Sequence, residues 1–114
     1  MSYFSEIKNA LLPLNIPITT DFQGGGYDTY ITMVEAADYG RDYGDDIPGY
    51  NVTPIQVHFF CPMPYDYLAI KNEIRKRIFK TGLFTYPDVT IFTDRELGVR
   101  QIVYEFDTYE KANL

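Results

Sequence analysis

A chain of 114 residues holds one domain and can bury about two thirds of its unfolded surface. Hydrophobic residues at 46%, with 11 Tyr and 8 Phe, exclude wholesale disorder. A net charge of −6 argues against wrapping DNA, and the single Cys61 excludes an intramolecular disulfide. The N-terminal residues lack the basic and apolar pattern of a signal peptide, and no apolar run reaches membrane-spanning length. The expectation is a soluble chain made in a reducing cytoplasm.

Tyr3 to Leu12 reads as a short helix, with Phe4, Ile7, Leu11 and Leu12 at helical spacing, Ser2 as cap and Pro13 as terminator. Ile16 to Gln23 alternates and reads as a strand, with Pro17 placing its start at an edge. Gly24-Gly25-Gly26 then reads as a hairpin turn; no GK[ST] or helix follows to support phosphate binding. Tyr27 to Glu35 is apolar on both faces, which predicts a central strand. Ala36 to Tyr50 has no period and is expected to be a long, flexible acidic loop. Asn51 to Cys61 is a strand with Ile55, Val57 and Phe59 facing the core, and Pro54 marks an edge or a bulge.

Cys61-Pro62-Met63-Pro64 is a stiff link. A second helix starts near Pro64 to Asp66 and ends at Gly82, with Tyr67, Ile70, Ile74 and Ile78 as its apolar stripe. Val89 to Thr93 and Val99 to Asp107 are strands joined by a turn at Asp94 to Gly98, and 108–114 is a polar tail. The order is α-β-β-β-α-β-β. The fold class is α+β, a mostly antiparallel sheet of four to five strands with two helices on one face.

Catalytic chemistry finds little footing. His58 is the only histidine, so a His-based metal cluster within one chain is excluded. Cys61 lies three residues on, and a strand points the two side chains to opposite faces. A buried, unreactive thiol is the simpler reading. Asp38 to Asp46 lacks the spacing of an EF-hand loop, so it reads either as a solvated loop or as an interaction arm carrying Tyr39, Tyr43 and Tyr50. The second helix carries Lys71, Arg75, Lys76, Arg77 and Lys80 against Glu73, a local charge of +4. Glu35 to Asp46 holds five acids against Arg41, a local charge of −4. One reading of the helix is a solvated face with a favourable dipole and a Glu73–Arg77 pair. Another is a head-to-tail contact, with Tyr39, Asp42, Tyr43, Asp45 and Asp46 of one subunit meeting Lys76, Arg77 and Lys80 of the next.

Several pieces stand in an ordered series. Leu11-Leu12-Pro13-Leu14-Asn15-Ile16-Pro17 closes the first helix. Asp28-Thr29-Tyr30-Ile31-Thr32, the acidic loop with Asp45-Asp46, and Ile55-Gln56-Val57 follow. Asp66-Tyr67-Leu68-Ala69-Ile70-Lys71 opens the basic helix, and Val103-Tyr104-Glu105-Phe106 ends the last strand. In this order the chain resembles the tail terminator proteins of long-tailed bacteriophages and prophages, from about Tyr3 to Asp107. It departs from them in the Phe59-Phe60-Cys61-Pro62-Met63-Pro64 stretch.

The resemblance implies two helices packed on a sheet and a homo-oligomeric ring, usually sixfold. Such a ring stops tail-tube polymerisation and docks to the head connector or a head-completion protein. It implies a virion protein of the neck, assembled in the host cytoplasm, with DNA passing through the channel without specific binding. It implies no catalytic residue, cofactor or metal. The alternatives are another neck protein, a monomeric module that binds a peptide or small ligand on the open sheet face, and a metal enzyme using Asp42, Asp45 and Asp46.

Overall fold

The computed structural model describes residues 3–19, 26–35, 39–44 and 47–111, with side chains described outside 39–50 and 110–111. Two helices and a five-stranded sheet follow in the order α1 (Tyr3–Leu11), β1 (Tyr30–Glu35), β2 (Tyr39–Gly44), β3 (Ile47–Pro62), α2 (Leu68–Lys80), β4 (Asp88–Asp94) and β5 (Val99–Lys111). The sheet runs β1-β3-β5-β4, with β2 also paired to β3, and every strand pair is antiparallel. The α+β class and the order α-β-β-β-α-β-β hold, but β2 stands where no strand was expected.

Alternation along β3 and β5 builds the core. Ile55, Val57, Phe59 and Cys61 share one face with their partners Phe106, Tyr104 and Ile102, and Ile31 joins them from β1. Both helices close this face. α1 contributes Ile7 and Leu11, and α2 contributes Ile74 and Ile78, each pair one turn apart and fully buried. Tyr104, on the sheet, donates its hydroxyl to the Lys71 carbonyl of α2 at 2.9 Å. That bond satisfies the polar end of a buried ring.

Several sequence expectations need correction. The first α-helix ends at Leu11, before Pro13 as expected, but Leu12–Leu14 continue as a 3-10 turn, closed by Asn15 at φ 58. Proline fits that first tight turn because its fixed φ suits it and no donor is needed there. The described part of 16–23 is not a hairpin strand. It makes one parallel bridge, Ile18 to Ile31, held by Ile31 N–H to the Pro17 carbonyl and Thr19 N–H to the Ile31 carbonyl, both 2.8 Å. A parallel bridge cannot be half of a hairpin. β1 is therefore an outer strand, with this short segment against its edge, and not a central one.

The stretch 36–50, expected as a loop, carries β2 and the start of β3. Tyr39 pairs with Val52 and Gly44 with Ile47, an antiparallel hairpin. Its interstrand hydrogen bonds need no apolar period in the side chains, so the sequence hid it. Pro54 sits where the pairing changes. Glu35 pairs with Ile55, Tyr39 with Val52, and the register shifts by one residue across Thr53 and Pro54. Pro54 itself keeps unbroken register with Asp107 in a strand paired on both sides, so it marks neither an edge nor a bulge of β3; the extra residue falls in 36–38, outside the described residues.

Of the expected tail at 108–114, residues 108–111 are strand, because β5 runs to Lys111, and 112–114 lie outside the described residues. Thr108 is buried, bridges to Phe84 and donates to the Leu83 carbonyl, while Asp107 exchanges bonds with Thr85. These partners are far apart in sequence, so periodicity could not show them.

α2 begins at Leu68, later than expected. The link turns at Met63 and Pro64, where Tyr65 N–H donates to the Pro62 carbonyl at 3.1 Å, and Arg100 braces it by donating to the Met63 carbonyl and lying 4.1 Å over the Tyr67 ring. Gly82 follows the helix at φ 75, as expected of a left-handed cap. The molecule measures 54 × 28 × 24 Å, with a radius of gyration of 15.7 Å. A compact domain of this length would have about 13 Å. The excess fits the geometry of β3. Its Ile55–Cys61 half lies under the helices, while residues 47–52 run beyond them with β2 as an arm.

Candidate interaction surfaces

The basic helix divides its cations. Lys76 and Lys80 are exposed. Arg77 is half-buried. It bonds Glu73 at 2.9 Å, the expected i,i+4 pair, and donates to the Ala10 carbonyl at 3.4 Å. It thereby ties α2 to the C-terminal end of α1, where a cation also complements the dipole. Arg75 lies 4.3 Å over the Tyr86 ring and donates to the Pro87 carbonyl at 2.8 Å. Two of the five cations thus fasten the fold, and Lys76 and Lys80 are the outward-facing pair.

Of the acidic half of the expected contact, Tyr39, Asp42 and Tyr43 fall on β2, and Asp45 and Asp46 lie outside the described residues. Among the described residues no three His, Cys, Asp or Glu side chains converge. The metal reading of Asp42, Asp45 and Asp46 falls outside that description. No described helix is long and apolar enough to cross a membrane.

The second face of the sheet is the open face named above for a peptide or small ligand, with no residues assigned to it from the sequence. Among the described residues no helix packs on it. His58 is buried there between two glutamines. The Gln56 Oε1 accepts from Nε2 at 3.0 Å, and the Gln101 amide donates to Nδ1 at 2.7 Å. This arrangement fits the neutral ring with its proton on Nε2. Burial lowers the His58 pKa. Cys61 lies on the opposite, helix-covered face, and burial raises its thiol pKa despite nearby Arg100. Histidine and cysteine therefore do not form a nucleophile–base pair.

Beside His58, Tyr30 stacks on Phe60 with centroids 4.7 Å apart. Two shallow grooves of about 450 and 400 Å³ meet here, sharing Tyr30, Phe60, Leu97 and Val99. Phe92 and Leu97 are 54% and 76% exposed. The alternation Gln56-x-His58-x-Phe60, read for its outward side chains, is the signal that marks this face.

The neutral histidine makes a pH prediction. The unfolded chain binds a proton at His58 near pH 6.5, and the folded chain resists it. The unfolded state therefore binds more protons as pH falls below about 6.5, and stability falls with it. Urea unfolding of the wild type at pH 7.5, 6.5 and 5.5 should show this loss, and His58→Gln should flatten it. An unchanged slope in the variant would remove His58 as the cause.

Comparison of the chain with family models and with curated proteins gives no match. The fold and surfaces define an α+β domain with a projecting hairpin, two exposed lysines on α2 and an open sheet face of mixed polar and aromatic residues.

Proposed function

We propose that this chain is a structural ring protein of the tail-terminator kind. It caps the tail tube of a long-tailed phage, ends tube polymerisation and joins the tail to the head. The observation that carries the reading is the β2–β3 arm. It projects beyond the helix-covered core and bears Tyr39, Asp42 and Tyr43, while Lys76 and Lys80 face outward from a different element. An arm of one subunit on the helix of the next is a heterologous contact, and repetition of such a contact closes a ring when the rotation allows. Partners of the ring are its own copies, the tail tube protein and the head connector or head-completion protein. The net charge of −6 favours a channel through which DNA slides without binding. The site of action is the virion neck.

A charge swap tests the contact. Asp45→Lys and Lys76→Glu should each weaken self-association, and the double variant should recover part of the loss. Association should also weaken modestly as salt rises from about 0.05 to 0.5 M, because exposed pairs are screened. Sedimentation of the four proteins reads both effects. Singles that assemble like the wild type, or a double as poor as the singles combined, would reject this pairing. A monomeric peptide-binding module is the second reading, favoured by the grooves at Tyr30 and Phe60.

A further inference from the structure

The two sides of the sheet end differently. On the β1 side, the backbone of Pro17 and Thr19 bonds to Ile31. On the other side β4 pairs only with β5, and no described residue pairs with its outer edge. Alternate N–H and C=O groups of a terminal strand point outward and are open to another strand. Natural edges are commonly blunted by a charge, a proline or a bulge within the strand. Val89-Thr90-Ile91-Phe92-Thr93 has no charge, proline or glycine, and Thr90 to Thr93 are exposed. β-branched and aromatic residues of this kind suit strand pairing.

The two ends of β4 select the occupant. Asp88 and Asp94 bracket the strand, both exposed, and share a face with Thr90 and Phe92. A second β4, antiparallel about Ile91, would set Asp88 against Asp94 at both ends. A parallel copy in register would set like against like. Directly opposed carboxylates repel in either case. β2 also fails to fit, since its sequence has one cation, Arg41, followed at once by Asp42. We propose that the β4 edge is a strand-addition site for an extended segment of a different protein, with Lys or Arg at positions i and i+6. Between them the segment carries β-branched or aromatic residues, those at i+1, i+3 and i+5 lying beside Val89, Ile91 and Thr93. Main-chain bonds supply binding, and the two salt bridges set register and choice of partner. This site does not depend on ring formation, and it uses an edge distant in sequence from the arm.

The test uses two capped peptides, Lys-Val-Thr-Val-Thr-Val-Lys and its Glu-ended counterpart, titrated into the full chain. Binding is read by fluorescence anisotropy, and its place by backbone amide shifts. The Lys-ended peptide should bind about tenfold tighter, from the two charge pairs gained and the two repulsions avoided. Its largest shifts should fall on Asp88–Asp94, and the preference should invert in Asp88→Lys/Asp94→Lys. Equal affinities, no binding of either peptide, shifts centred elsewhere, or an edge already protected by self-association would each overturn the proposal. The wild-type shifts decide the site even if the double variant folds poorly.

Discussion

A chain in which residues 37–52 are replaced by Asn-Gly will fold and will not form rings. The substitution joins β1 to the Pro54 end of β3 through a short loop and leaves the Ile55–Cys61 core under both helices intact. Val52, fully buried, is lost, so stability should fall by about 2 kcal/mol. A domain of ordinary stability survives that loss. Ring contacts that depend on the arm vanish altogether, because trimming removes both its charges and its tyrosines. Cooperative unfolding together with monomeric sedimentation is the expected pair of results. Rings that persist without the arm would place the contact elsewhere.

Phe59→Ala should cost about 3–5 kcal/mol, among the largest effects of single substitutions in the sheet. Phe59 is fully buried in the middle of the helix-covered face, opposite Ile31 on one side and Ile102 on the other. Its ring meets Tyr65 edge to face at 5.9 Å. The hole left by truncation is walled by strands that cannot collapse into it. Phe92→Ala, on the exposed edge strand, should change stability by no more than about 0.5 kcal/mol. Urea midpoints of the two variants give the comparison. Similar costs at both positions would mean that the core is not where alternation places it.

The legible part of this fold is the part written in periodicity. Ile55, Val57 and Phe59 alternate, Ile74 and Ile78 repeat at helical spacing, and these residues form the core. Gly82 announced a left-handed cap and has one. What escaped was structure made by backbone pairing alone. β2 contains Gly40, Arg41 and Asp42, a poor strand by composition, and it is held by β3 across the hairpin. The last turn of β5 depends on Leu83, Phe84 and Thr85, more than twenty residues earlier.

The surfaces were legible by halves. Charge pattern picked out the basic helix but could not tell Lys76 from Arg77, whose guanidinium reaches back to Ala10. The outer face was expected as an open surface, but its residues were not, because Gln56 and His58 are satisfied by one another and by Gln101 across the strands.

The mass of the purified chain, followed by sedimentation equilibrium from micromolar to millimolar protein, tests the ring most directly. One chain weighs 13.2 kDa. A ring protein should pass with rising concentration to one closed species, near six chain masses, with no larger polymers. A mass that stays at one chain throughout, or that climbs without limit, would contradict a closed ring.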